Sequence, residues 1–327
     1  MKKILFYGFQ HGHIDGLYKL AKQTAGVEIV ACLEEDEKVR PAVAERLNIQ
    51  FEEDTYDNWL KKDVDIVAIG GKYGQRGKAV IQALKAGKHV ISDKPLCTSL
   101  EELTQIEALV KEGKGKISCM LDLRYMPSAC RAREIMKSKR LGEVRNISFT
   151  GQHCIDYAHR PSWYFEKGMH GGTVNDLAIH GLDLVRDLTG LEVEKVDGIR
   201  TWNSYAIKNP DFKDCAVLMA RLTNGAELLV DVSYSAPSQV FSMPTYWNFQ
   251  IWCEKGLLTF NLINDSVTIY EDGVKEVQVL EGIAPKSDYL IDLIQEIDCD
   301  TDILSQSVIA STETALWIQK QADVRER

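Results

Sequence analysis

Lys3-Ile4-Leu5-Phe6-Tyr7-Gly8-Phe9-Gln10-His11-Gly12-His13 reads as a short apolar strand, a glycine-bearing turn and the entry to a helix carrying Leu17, Leu20 and Ala21. The same alternation continues outward. Val27 to Leu33 is the next strand candidate, followed by an amphipathic stretch from Val39 to Leu47. Val64 to Ile69, His89 to Ser92 and Lys116 to Leu121 complete five strands, with helices over Ala79 to Ala86 and Leu100 to Lys111. Strands that alternate with helices require right-handed crossovers, and these build a parallel, doubly wound α/β sheet.

The texture changes after about Arg124. A helix from Ala129 to Met136 precedes a strand from Val144 to His153. Long alternating runs follow: Val193 to Trp202, Ala216 to Leu222, Ala226 to Tyr234, Tyr246 to Cys253, Leu257 to Leu262, Ser266 to Tyr270 and Val274 to Leu280. Turn signals such as Asn224-Gly225 and Glu271-Asp272-Gly273 between them suit antiparallel hairpins. Tyr289 to Gln319 returns to helix. The expected organisation is a dinucleotide-binding domain over residues 1–123 and an α+β domain with an open, mostly antiparallel sheet over residues 124–327.

A chain of 327 residues, 45% hydrophobic and 27% charged, is too long for one ordinary core, and no repeat or low-complexity tract interrupts it. Lys plus Arg number 39 against 48 Asp plus Glu, so the net charge is -9 and no basic block offers a grip on a phosphate backbone. Nucleic acid is not the expected partner. The longest uncharged run, Val232 to Cys253, contains Pro237 and Pro244 and reads as soluble strands and a loop, so no membrane span is expected. The apolar stretch at the N-terminus is too short for a signal-peptide core. The eight cysteines are scattered without a C-x-x-C, which suits reduced thiols in the cytoplasm.

Three constellations carry the chemistry. Gly8, Phe9, Gln10, His11, Gly12 and His13 stand where a dinucleotide fold places its phosphate turn, although only Gly8 matches the G-x-G-x-x-G spacing. An ordinary strand-to-helix turn reads equally well there. Glu34 ends the second strand, 26 residues after Gly8, where an acid accepts from the adenosine ribose hydroxyls and repels a 2′-phosphate. That favours NAD over NADP. His11 and His13 also form an H-x-H, the opening of metal-dependent hydrolases built on β/α barrels, but the second half lacks the repeating strand-helix units a barrel needs. No metal site is expected.

Ala86-Gly87-Lys88-His89-Val90-Ile91-Ser92-Asp93-Lys94-Pro95-Leu96 brings Lys94 out of a strand at its carboxyl end, where open parallel sheets bind ligands. Gly171 to Val185 sets Asp176, His180 and Asp183 on one helical face and Val174, Leu177, Ala178, Val185 and Leu188 on the other. A solvated polar face is the ordinary reading of such a pair; an acid and a histidine aimed into a cleft is the functional one.

In order, the strand-turn-helix start, Glu34, A-G-K-H-V-I-S-D-K-P-L, L-R-Y-M-P (Leu123 to Pro127), R-L-G-E-V (Arg140 to Val144) and G-G-T-V-N-D-L-A-I-H-G-L-D resemble the Gfo/Idh/MocA family of glucose-fructose oxidoreductases and inositol dehydrogenases. The resemblance implies an N-terminal Rossmann domain and a C-terminal sheet domain of the dihydrodipicolinate-reductase type. It implies an NAD(P)-dependent dehydrogenase acting on a sugar, polyol or related hydroxy compound, with Lys94, Asp176 and His180 as catalytic residues. Gly8 to His13, Glu34, Gly70 and Lys94 would hold the cofactor. Lys94, Tyr125, His153, Asp176 and His180 would hold the substrate, with Tyr157, Trp163 and Tyr164 nearby. A cis Lys94–Pro95 bond and a homodimer or homotetramer joined through the C-terminal sheet are also implied.

Ile155 stands where inositol dehydrogenases carry an asparagine, so inositol itself is not expected. Gly70-Gly71-Lys72-Tyr73 replaces the usual threonine-proline-asparagine, and Arg76 stands near the usual histidine. Two other classes remain: a family member that binds a dinucleotide or sugar without turnover, and a metal-dependent hydrolase using His11 and His13.

Overall fold

A computed structural model describes residues 1–325. In chain order its elements are β1 (Lys2–Tyr7), α1 (His13–Gln23), β2 (Val27–Leu33), α2 (Arg40–Leu47), α3 (Tyr56–Trp59), β3 (Ile66–Ile69), α4 (Tyr73–Lys85), β4 (His89–Ser92), α5 (Leu100–Lys111) and β5 (Ile117–Cys119). Then follow α6 (Pro127–Lys137), β6 (Val144–Gln152), α7 (Ile179–Thr189), β7 (Val193–Trp202), β8 (Cys215–Leu222), β9 (Glu227–Ser233), β10 (Asn248–Cys253), β11 (Gly256–Phe260), β12 (Ser266–Glu271), β13 (Gln278–Glu281), α8 (Tyr289–Cys299) and α9 (Ile303–Arg325).

Two compact units result. One comprises Met1–Met120, Pro161–Gly171 and Asp288–Glu313; the other comprises Leu121–Arg160, Gly172–Ser287 and the chain from Thr314 onward. The chain first crosses three residues before the expected boundary, and two later segments rejoin the first unit. Their side chains explain why. Leu290 and Leu293 of α8 are fully buried in the core of the first unit with Phe6, Ile14 and Leu17. Trp163 and Tyr164 pack on Tyr73 with ring centroids 5.1 and 5.5 Å away. Burial of one such side chain contributes about 1.5–3 kcal/mol, and strand-helix alternation gives no hint of where a distant segment finds it.

The first unit is built on a parallel sheet in the order β2-β1-β3-β4-β5, doubly wound as expected. Helix α4 starts six residues before the expected Ala79, because Gly74 and Gly77 serve close approach and do not break the helix. A Cβ on Gly74 would lie 2.3 Å from the Gly168 carbonyl oxygen, and one on Gly77 would lie 2.4 Å from the Glu102 carboxylate.

The second unit carries an eight-stranded sheet in the order β13-β12-β11-β10-β6-β9-β8-β7. All neighbours run antiparallel except β6 and β9. Strand β13 begins at Gln278, four residues after the expected Val274, which instead lies in the turn closed by its bond to the Glu271 carbonyl. Helix α7 approaches β6 so closely at Gly181 that a Cβ there would fall 2.2 Å from the Phe149 ring. The other sheet face leaves Val217, Met219, Leu229, Trp252 and Tyr270 exposed.

No helix among the described residues is long and apolar enough to cross a membrane. All eight cysteines are free thiols.

Candidate functional site

In the sheet of the first unit, the chain steps from β1 to β2 on one side and to β3 on the other, so the strand order reverses between β1 and β3. Such a switch point opens a crevice beyond the carboxyl ends of the strands. The crevice is lined by Gly8, Gln10, Glu34, Gly71, Gln75 and Arg76, among others. Gly8 has a φ of +79°, and a Cβ on it would lie 2.6 Å from the Gly71 backbone nitrogen, so the turn tolerates no side chain there. The His11 backbone N–H closes the turn on the Gly70 carbonyl at 3.3 Å. Gly12, which caps α1, has open space where a Cβ would stand.

Glu34 is only 2% exposed and ties β2 to this turn. Its carboxylate accepts from the Phe9 N–H at 2.5 Å, from the Gln10 side-chain amide at 3.1 Å and from the Asp36 N–H at 2.9 Å. A carboxylate offers about four acceptor positions, so room for one more donor remains. The Gln10 Oε1 atom, also on the crevice, has no hydrogen-bond partner. A tight glycine turn, an acid with spare capacity and an unsatisfied amide oxygen fit a dinucleotide, with Gly8 to His13 along the pyrophosphate and Glu34 toward the ribose.

Beside the turn lies a polar network that sequence reasoning missed. Asp93, fully buried, receives Arg76 Nη2 at 2.7 Å and faces His11 Nδ1 at 2.6 Å through one oxygen. Its other oxygen lies 3.3 Å from His13 Nδ1. The second ring nitrogen of His11 meets the Tyr73 hydroxyl at 2.9 Å. Burial holds His11 down at about 4, although Asp93 pulls the other way. Burial is the largest single influence on Asp93 and opposes its ionisation, but Arg76, His11 and His13 together outweigh it and keep the carboxyl well below its ordinary range.

Donor atoms of His11, His13 and Asp93 lie within 4.8 Å of one another, the set the metal reading would use. Asp93 is already engaged by a guanidinium whose charge opposes a dication, and the two sheet orders are not those of a β/α barrel.

Lys94 follows β4 and is 3% exposed; its Nζ lies 5.9 Å from the centre of the Tyr73 ring. The Lys94–Pro95 bond is cis, as expected.

In the second unit, Val174–Ala178 forms a π-helical turn that runs into α7. Such turns are uncommon and concentrate at functional sites. Asp176 lies within it, fully buried, and accepts a hydrogen bond from the Tyr234 hydroxyl. His180 follows in the first turn of α7, its Nδ1 3.4 Å from a carboxylate oxygen of Asp122 and its ring 5.6 Å from that of Trp247. Asp183, in the same helix, pairs with Arg124, whose Nε donates to it at 2.5 Å in a two-pronged pair.

His153 follows β6 among aromatic rings, with Tyr246 at 5.6 Å and Trp247 at 5.7 Å. Burial, reinforced by Asp122, pushes the Tyr246 phenol up to about 12, so it remains a hydrogen-bond donor at neutral pH. Tyr125 ends the short helical turn that carries Asp122. Tyr157 belongs to this unit, while Trp163 and Tyr164 belong to the first. Asp122, Tyr234 and Trp247 had no motif to announce them; Tyr234 could have been noticed as an aromatic on the inner face of a strand.

Two family models match the chain. The "Oxidoreductase family, NAD-binding Rossmann fold" model covers residues 5–121, and the "GFO/IDH/MocA C-terminal domain" model covers residues 130–259. The chain belongs to the Gfo/Idh/MocA family. Its N-terminal part is that family's NAD-binding Rossmann domain.

Among relatives, the levoglucosan dehydrogenase of Pseudarthrobacter phenanthrenivorans is 27% identical over 61% of this chain and 56% of its own length. Inositol 2-dehydrogenase 2 of Saccharopolyspora erythraea is 24% identical over 67% of this chain and 62% of its own. The match thus spans little more than half the length of these relatives. Among solved structures, a levoglucosan dehydrogenase complex with NADH and levoglucosan superimposes with a TM-score of 0.80 at 18% identity, covering 99% of this chain and 97% of that one. The aldose-aldose oxidoreductase of Caulobacter crescentus gives 0.80 at 16% identity, over 100% and 98%. These two likenesses establish the shared fold.

Proposed function

We propose that the protein is an NAD-dependent dehydrogenase acting on a secondary hydroxyl, or the matching ketone, of a sugar, polyol or related compound. The crevice at the β1/β3 switch point carries this reading, with Glu34 on one wall and Arg76 on another. Family membership and the dehydrogenases among the relatives support it.

NAD, when bound, supplies the hydride acceptor. The chain supplies the rest. His180 takes the hydroxyl proton on an imidazole nitrogen, a group suited to proton transfer near neutral pH. The Lys94 ammonium stabilises the developing alkoxide. Asp176, held by Tyr234, orients the acid-base group. His153 and Tyr125 bind substrate hydroxyls. A sensor that binds without turnover would need none of this proton chemistry, and the retention of Lys94, Asp176 and His180 favours the enzyme.

The test is NADH titration by fluorescence, followed by initial rates with a panel of aldoses, sugar acids and inositols against NAD and NADP. Reduction of NAD with higher kcat/KM than NADP is expected, because the Glu34 carboxylate repels a 2′-phosphate. Tight NADH binding with no turnover across the panel would favour the sensor. Preference for NADP would remove Glu34 from the ribose.

We also propose a homodimer or homotetramer, formed through the sheet face that exposes Val217, Met219 and Leu229. Contiguous apolar surface of this kind marks interaction sites. Sedimentation velocity at micromolar concentration is expected to give a dimer or larger species; a monomer would overturn it.

A further inference from the structure

Arg76 is an oddity on general grounds. It lies near the amino end of α4, where the helix dipole disfavours a cation, yet its side chain is fully buried. Something other than helix stability must hold it there. Its Nε donates to the Gly71 carbonyl at 2.8 Å, in the loop after β3. Its Nη2 donates to the Asp93 carboxylate at 2.7 Å, and its Nη1 to the carbonyls of Lys94 and Pro95, the latter at 3.3 Å. The guanidinium plane also sits 4.4 Å from the centre of the Tyr73 ring, the ring beside which Lys94 Nζ lies.

The anchors therefore flank the Lys94 Cα. One is the side chain of the residue before it, and the others are its own carbonyl and the next. Fixing the backbone on both sides fixes the direction in which the Lys94 side chain leaves. Arginine suits this task because its planar fork serves several acceptors at once, which a lysine ammonium in the same place does not reproduce. Through Asp93 and His11 the same fork reaches the phosphate turn, so one residue ties the cofactor loop to the lysine loop.

We propose that Arg76 is the positioning residue for Lys94. The inference rests on the reading of Lys94 as a catalytic residue, and its test has one arm that does not need turnover. In the intact protein, labelling of Lys94 by an amine reagent is followed by peptide mass spectrometry, with exposed Lys85 as internal control. Arg76→Lys and Arg76→Ala are each expected to raise Lys94 labelling severalfold while leaving Lys85 unchanged. Millimolar guanidinium is expected to restore protection to Arg76→Ala.

In turnover, Arg76→Lys is expected to lower kcat by roughly tenfold to a hundredfold, the scale set by small misplacements of a reacting group, and by clearly more than it weakens NADH binding. Unchanged labelling in folded variants, or unchanged kcat, overturns the assignment. So does a loss of NADH binding and thermal stability in step with activity, which marks a purely structural role. If wild-type protein turns over no hydroxyl compound, the functional reading fails, and the labelling arm still decides whether Arg76 places Lys94.

Discussion

The hydroxyl of Tyr234, the residue directly after β9, donates to the fully buried carboxylate of Asp176 in the π-helical turn ahead of α7. A carboxylate out of contact with water needs such donors, since a hydrogen bond to a charged group contributes about 1.5–3 kcal/mol and an unmet acceptor costs at least as much. The bond also joins the end of an interior strand to the π-helical turn. It therefore fixes where Asp176 points as well as whether the turn is stable.

Tyr234→Phe is accordingly expected to destabilise the protein by about 2 kcal/mol, with a fall in Tm of roughly 4–8 °C for a unit of this size. The same change made on an Asp176→Asn background should cost less than half as much, because the neutral amide no longer needs the phenol. Differential scanning calorimetry of the double-mutant cycle reads both. Additive losses would show that the two side chains act independently.

Stability in acid should depend on His11. Its folded value of about 4 lies below the ordinary imidazole value of 6.5 because the ring is buried. Between those two values the unfolded chain binds a proton that the folded chain does not, so stability rises with pH across the window and is lost as pH falls from about 6.5 to about 4. Half-buried His89, also lowered chiefly by desolvation, adds a loss of the same sign. The depressed Asp93 adds its own loss only below the ordinary carboxyl range. His11 accounts for about 3 kcal/mol at most. His11→Gln should flatten the Tm profile between pH 6.5 and 4, and a profile as steep as wild type would place the acid sensitivity elsewhere.

These contacts show which parts of the molecule can be read from the chain. Strand-helix alternation and hairpin glycines are local signals, and they located β2, β4, α5 and β7 to the residue. The Asp-Lys-Pro and Gly-Gly-Thr-Val-Asn-Asp-Leu-Ala-Ile-His motifs made Lys94, Asp176 and His180 candidates because family motifs are contiguous in sequence. Arg76, Tyr73 and Tyr234 were illegible as site residues for the opposite reason: each acquires meaning from a partner far along the chain, 17 residues for Arg76 and Asp93 and 58 for Tyr234 and Asp176. Asp183 is a further case. Helical spacing placed it beside His180 within α7, but nothing local in the sequence announced the Arg124 fork that engages it.

The division of labour at the proposed site yields the last prediction. Oxidation of a hydroxyl removes a proton from oxygen and a hydride from carbon, so the chain must provide a proton acceptor and a stabiliser for the alkoxide. In the proposed mechanism His180, buried beside Trp247 and close to Asp122, serves as the proton carrier and Lys94 as the cation. His180→Ala should lower kcat by roughly a hundredfold to ten-thousandfold, the range typical of general acid-base groups. Lys94→Ala should do comparable damage. His180→Ala should leave the NADH Kd nearly unchanged, because His180 is not among the residues expected to hold the cofactor, and Lys94→Ala should lower kcat by far more than it weakens NADH binding. The kcat of Lys94→Arg should stay low, since a bulky fork does not replace a compact ammonium at a single oxygen. Near-native turnover by His180→Ala would move the proton carrier to another group, with Tyr125 next in line. Loss of NADH binding in step with activity in both alanine variants would mark the damage as structural and cancel the assignment of roles.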